Sequence, residues 1–346
     1  MQLTTKRPGY WSVYHSIRRY DFLKIFKVIE TFVNEAGDPW EISERGRPPK
    51  ILPKEYARLL IFMAYTGMSY RSLDNISSLL IGKRVAKSDI CWAIKRIPIS
   101  YVKRIYKLIH ELIDCNWNYV YITDSTGIET DRYEMKFHKI KRKPVKQYLK
   151  WHIIVKYFYE QGLLSIPCSE ITDGYKHDSP VFRKNFDPEL CRDGIMLGDS
   201  AYYGRENSDL CDEHNIKPIF KSLRGFGSEL AEHLYKQYRG VIEGVFGANE
   251  TRNGNKTRCR LWHTRTVHGL MFSVVHNLKS YIKCIELEKA VMKRVKISLI
   301  IWIYWTNPNL LIILQLLDSP DNLYPLSSNR RASLFLIFIP LCYNDL

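Results

Sequence analysis

A change of pattern near residue 117 limits what this chain can fold into. Before it, apolar residues recur at helical spacing: Leu59, Leu60, Met63 and Ala64 share one face, and Ile105, Leu108, Ile109 and Leu112 repeat the arrangement. After it come short β-branched and aromatic runs, Asn118 to Thr123, Trp151 to Phe158, Ile195 to Gly198 and Pro218 to Phe220. Glu206 to His214 and Glu229 to about Asn249 carry helical features. Strands followed by helices predict an α/β domain, a sheet of mixed direction flanked by helices, behind a mainly helical N-terminal domain.

Punctuation residues suggest the boundaries. Residues 1–50 form an N-terminal segment that closes on a linker, Glu44 to Lys50, whose two prolines and Gly46 cannot continue a helix. Residues 51–116 form the helical domain. Within it, Met68 to Leu73 and Lys87 to Ile94 begin two short helices with Ser or Asp near the N-cap, followed by Lys95 and Arg96. A helix-turn-helix for DNA and two amphipathic helices joined by a turn both fit that pattern. Residues 117–290 form the α/β domain. Residues 291–346 are an apolar tail, in which Thr306-Asn307-Pro308-Asn309 divides 297–317 into runs well short of the roughly 20 residues a spanning helix needs. No membrane span is expected.

Charge narrows the partners. Lys plus Arg outnumber Asp plus Glu by 52 to 36, a formal net charge of +16, which favours a polyanion, nucleic acid before an acidic membrane surface. A basic soluble enzyme with a solvated surface is the plain alternative. The eight cysteines are scattered, with no CxxC pair, so reduced thiols and no zinc site are expected. The first residues show no apolar stretch after their basic positions, which predicts a cytoplasmic, nucleoid-associated protein.

Two of the candidate strands finish on aspartates, Asp124 in ITDSTG and Asp199 in GDSAYYG. The carboxyl edge of a sheet holds such residues rigidly beside a cleft. A third acid, Glu243 in RGVIEGVFG, follows Arg239 by one helical turn, and Leu230, Leu234, Val241 and Val245 form an apolar stripe expected to pack on the sheet. Taken singly, strand-end aspartates cap turns and an Arg–Glu pair is a surface pair.

Together, in order and context, they resemble the DDE transposases of bacterial and archaeal insertion sequences, whose catalytic domain is RNase H-like. Asp124 and Asp199 look like that family's first and second acids, and Glu243 like the helical third acid with its Arg four residues before it. The string Thr172-Asp173-Gly174-Tyr175-Lys176-His177-Asp178-Ser179 is similar to a family segment ending in His-Asp-Ser. The resemblance covers about Tyr119 to Ser280. It departs at two positions: the family signature has Tyr where this chain has Lys236, and Lys where it has Glu250.

The resemblance implies that Asp124, Asp199 and Glu243 are the catalytic and metal-binding residues, that the cofactor is Mg²⁺ or Mn²⁺, two ions, and that the partner is DNA, both transposon ends and target. Asp124 would bridge both metals, with Asp199 and Glu243 completing one site each. A homodimer follows from the need to join two ends. Lys139, Lys141, Arg142 and Lys143 near the first acid strand, Arg239 one turn before the third acid, and Arg252, Lys256 and Arg258 after it, are the candidate DNA contacts. Tyr202, Tyr203 and Trp262 either stack on splayed bases or pack in the core. A transposase-derived DNA-binding protein without catalysis and another RNase H-like nuclease stay open.

Overall fold

The computed structural model describes residues 22–43, 48–114, 117–130, 135–138, 143–146, 148–222, 227–254, 256–257 and 259–306, with backbone alone in 135–138, 143–146 and 290–306. The chain forms two compact units, Met1–Leu287 and Glu288–Leu346. In the second, the described residues are a helical run ending at Thr306, two positions before Pro308, which disfavours helix at the residue preceding it. The rest of the apolar tail lies outside the described residues. Among the described residues no helix is long and apolar enough to cross a membrane.

The first unit opens with helices α1 (Phe22–Ala36), α2 (Pro53–Thr66), α3 (Tyr70–Ile81), α4 (Lys87–Ala93) and α5 (Ile99–Ile113). α1 falls inside the N-terminal segment 1–50, for which the sequence predicts no element. It buries Ile25, Phe26, Ile29, Phe32 and Val33, a helical stripe concealed by the aromatics around it. α2 starts with Pro53 and ends on left-handed Gly67, the usual asymmetry of helix ends. Ser69 caps α3 by accepting from the Ser72 N–H at 3.0 Å. α4 has no cap of its own; instead the Asp74 carboxylate of α3 accepts from its first N–H, on Lys87, at 3.1 Å.

Strands β1 (Tyr119–Glu129), β4 (Tyr148–Phe158), β5 (Leu163–Asp173), β6 (Gly194–Gly198) and β7 (Ile216–Phe220) build one sheet in the order β5-β4-β1-β6-β7. β2 (Met135–His138) and β3 (Lys143–Lys146) form a separate antiparallel pair. β5, β4 and β1 run antiparallel, while β1, β6 and β7 run parallel. The mixed sheet matches the expected class. α6 (Asp178–Asn185), α7 (Arg205–Asp212), α8 (Glu229–Asn253) and α9 (Trp262–Thr306) complete the chain.

The pleat sorts side chains into two cores. Val120, Ile122 and Ile128 of β1, with Leu149, Trp151, Ile153 and Val155 of β4, enter a large core shared with the N-terminal helices, α8 and α9. Tyr121, Ile154, Cys168 and Met196 face the other way and join Phe182, Phe186 and Tyr202 in a smaller core with α6. Each such apolar side chain contributes roughly 1.5–3 kcal/mol on burial, so a one-residue slip of β1 would forfeit several at once. Trp151 is fully buried and its Nε1–H donates to Ser169 Oγ at 3.0 Å and Ser273 Oγ at 3.2 Å, tying β4 to β5 and α9.

β5 tolerates Pro167 because it is an edge strand. Ile154 pairs with Cys168 and Lys156 with Ser165, so Ile166 and Pro167 together face Val155 as a bulge. The Ile166 N–H donates to Asn277 Oδ1 of α9 at 2.7 Å.

Candidate active site

β1 continues past Asp124 because β4 pairs with it as far as Glu129, so Asp124 lies within the strand and does not end it as expected. On the other side, the β1–β6 ladder pairs only Tyr121 with Met196 and Ile122 with Leu197. Beyond Ile122 the sheet is therefore split, and Asp124 stands where the parallel ladder has stopped. β6 closes at Gly198, and Asp199 follows it directly. Two aspartates thus stand together just past the end of the parallel β1–β6 pairing, although only Asp199 follows the end of its strand. Gly198 permits the approach, since a Cβ there would lie 2.9 Å from the Phe220 ring and 3.0 Å from Thr123 Cγ2.

Local hydrogen bonds set both carboxylates. Asp124 Oδ1 accepts from the Ser125 N–H at 2.7 Å, and Asp199 Oδ1 from the Ala201 N–H at 2.9 Å. Burial pushes the Asp124 carboxyl up to about 6; the nearby charges of Asp199 and Asp178 raise it too, while the Ser125 N–H and Arg239 oppose them. Asp199 and Asp124 thus share one electrostatic site.

α8 packs against β1 and brings the third acid. Arg239 Nε donates to Glu243 Oε1 at 3.0 Å, with both side chains more than half exposed. Their shared face agrees with the expected spacing. Three of the four expected stripe residues pack on the core, Val245 buried and Leu234 and Val241 half-buried, joined by Tyr235, Ile242 and Asn249, while Leu230 is 67% exposed. The Arg–Glu face of α8 borders an open groove of about 650 Å³, lined by Lys221, Glu232, Tyr235, Lys236, Arg239, Gly240 and Glu243.

Tyr235 is the site residue that sequence reading missed. It precedes Arg239 by one turn; burial raises its hydroxyl pKa, Arg239 lowers it, and the charges of Asp199, Asp124 and Glu243 all add to the rise. One tyrosine therefore senses all three acids. The i, i+4, i+8 series Tyr235, Arg239, Glu243 was the available signal. Lys221, just beyond β7, and Lys236, paired with Glu232 at 2.7 Å, add cations to the groove.

The other expected contacts scatter. Arg252 lies on α8 with its guanidinium 5.8 Å from the Tyr65 ring centroid, and burial lowers its pKa. Lys256 pairs with Glu129 at 3.4 Å. Lys139, Lys141, Arg142 and Arg258 lie outside the described residues, and Lys143 falls in β3 with its side chain outside them. Tyr202 is buried against Phe182 and Phe220, whereas Tyr203 and Trp262 are 59% and 50% exposed. Glu250, where the family signature has Lys, is exposed on α8. The six cysteines among the described residues are free thiols.

No protein-family model matches the chain, and no curated protein matches it. Among solved structures it is similar to the piggyBac transposase in a synaptic complex with hairpin DNA, at 12% identity and a TM-score of 0.45, covering 93% of this chain and 86% of that one. It is also similar to a chain of a pre-cleavage Mos1 transpososome, at 11% identity and a TM-score of 0.17, over 72% of this chain and 83% of that one. Likenesses this loose carry no conclusion about what the chain binds or does.

Proposed function

We propose that this chain is a DDE-type DNA transposase with an RNase H-like catalytic domain, in which Asp124, Asp199 and Glu243 are the catalytic acids. The observation that carries the reading is the juxtaposition of Asp124 and Asp199 where the β1–β6 ladder ends, with Arg239 of α8 within electrostatic reach. The order of three antiparallel strands followed by two parallel ones supports the fold assignment.

The donor chemistry fits Mg²⁺ or Mn²⁺. Two partly buried carboxylates, of which Asp199 adds to the raised proton affinity of Asp124, form a hard-oxygen site whose repulsion a divalent cation relieves. Among the described residues no group of three or more His, Cys, Asp or Glu side chains is gathered closely enough to hold an ion. Glu243 is bonded to Arg239 instead. Asp124 and Asp199 would hold the ions, joined by Glu243 once that bond opens. Bound there, two such ions would activate an attacking water or 3′-hydroxyl and stabilise the leaving oxygen in an in-line displacement at phosphorus. Arg239, Lys221 and Lys236 line the groove as counter-charges for DNA phosphates. Two copies of the chain, one per transposon end, complete the reading.

The test is incubation of purified protein with Mg²⁺ or Mn²⁺ and DNA bearing the element's terminal repeats, beside an Asp199→Ala control. Metal-dependent cleavage and joining that the control lacks is the expected result. Cleavage without joining indicates a plain nuclease. Equal activity in the control defeats the assignment. A second reading, DNA binding without catalysis, is favoured by Glu250 and by the Arg239–Glu243 bond; it predicts retention of DNA with no cleavage under any metal.

A further inference from the structure

Asp178 opens α6, and a carboxylate there would ordinarily serve its own helix N-terminus. Its side chain turns to the sheet instead. Asp178 Oδ2 accepts from Lys150 Nζ at 2.6 Å, and Oδ1 lies 3.1 Å from His152 Nδ1. The three side chains are only 13%, 20% and 4% exposed, respectively. Lys150 and His152 are two apart on β4 and share a face; Ser125 of β1 sits directly opposite His152, and Gly127 opposite Lys150. His152 Nε2 bonds Thr172 Oγ1 of β5 at 2.8 Å. A single carboxylate thereby ties β1, β4 and β5 one residue from Asp124. Burial works against its charge, but the polar neighbours His152, Lys150 and Ser125 outweigh burial and hold its pKa well below the usual carboxylate range.

Stability alone is a poor reason for such a cluster. Well-packed apolar residues of similar volume are often as stable as a buried ion pair, so what it fixes matters more than what it contributes. What it stands behind is β1 at Ser125, which lies opposite His152 and whose N–H holds Asp124 Oδ1. We propose that Asp178 is a positioning residue for the Asp124 carboxylate, acting from the opposite face of the sheet through Ser125. The proposal rests on the functional reading above, in which Asp124 holds a divalent cation, and it follows the rule that groups behind a ligand orient it.

The test is Mn²⁺ titration of the full chain, followed by electron paramagnetic resonance, in the parent, Asp178→Asn, Ser125→Ala and Asp199→Ala, with circular dichroism to report folding. Asp178→Asn and Ser125→Ala are expected to weaken Mn²⁺ binding about 10–100-fold while the spectrum stays native. Asp178→Glu is expected to recover part of the loss, which a purely structural role would not require. Parent-like affinity in folded Asp178→Asn overturns the proposal. Parent-like affinity in Ser125→Ala overturns it whatever Asp178→Asn does. Absence of Mn²⁺ binding by the parent, or no loss in Asp199→Ala, overturns the functional reading and this proposal with it.

Discussion

Arg239 and Glu243 are bonded to each other one helical turn apart at the rim of the groove, so the helical acid is held by a cation of its own helix. Exposed pairs of this kind contribute a few tenths of a kcal/mol. Arg239→Gln should therefore shift the melting temperature by less than ~2 °C. If the guanidinium also meets phosphate, the same variant lowers the slope of log affinity for DNA against log salt by about one. Calorimetry and salt-dependent DNA titration read the two effects separately; an unchanged slope removes Arg239 from the DNA contacts.

Asp124 makes the protein's stability sensitive to pH. Its folded pKa, about 6, exceeds the ordinary 3.8, so the stability linked to it is complete below about pH 4 and lost as pH rises through 6. A shift of about two units corresponds to ~3 kcal/mol at most. Asp124→Asn should remove that decline, and urea melts of both proteins between pH 4 and 8 would show it. Parallel stability curves would mean that Asp124 is not strained.

His110 acts with the opposite sign. It is fully buried, its Nδ1 lies 2.7 Å from Ser165 Oγ, and burial lowers its pKa to about 4. The stability it contributes is present above the ordinary 6.5 and lost as pH falls through 4. His110→Asn sacrifices packing but no longer protonates, so its deficit relative to the parent should shrink from pH 7 to pH 4. Urea denaturation across that range checks this; a constant deficit refutes it.

Gly67 joins the helical part of the first unit to α8. It sits at φ 69° after α2, and a Cβ there would lie 2.7 Å from the Arg252 carbonyl oxygen. Gly67→Ala combines left-handed strain with a backbone clash and should cost about 1–3 kcal/mol. An equilibrium unfolding midpoint equal to the parent's would show that the chain relaxes there freely.

Much of the fold was legible because its signals are local. The stripe Leu59, Leu60, Met63 and Ala64 is buried in α2, and Ile105 and Ile109 are buried in α5 with Leu108 half-buried, as their spacing requires, while Leu112 of the same series is 43% exposed. β1, β4, β6 and β7 were foreseen from β-branched runs. β5 was not, because Pro167 and the polar Ser165, Ser169 and Glu170 disguise an edge strand whose core face alternates. α1 was hidden by neighbouring aromatics. At the site, residue types and order pointed to Asp124, Asp199 and Glu243, but which face α8 buries depends on the sheet beneath it. Tyr235 could have been found from its helical spacing to Arg239 and Glu243, whereas Lys221 and the Asp178 cluster depend on contacts between distant segments, for which a single sequence carries no local signal.

The bulge at Pro167 bears on how copies of this chain can meet. An exposed edge strand is an invitation to a strand from another molecule. On β5 the invitation is withdrawn: Pro167 has no N–H to offer, the bulge breaks the ladder's rhythm, and Asn277 occupies the neighbouring donor. A strand offered from outside cannot extend this sheet into one continuous ribbon across this stretch, so any contact made there has to run through side chains.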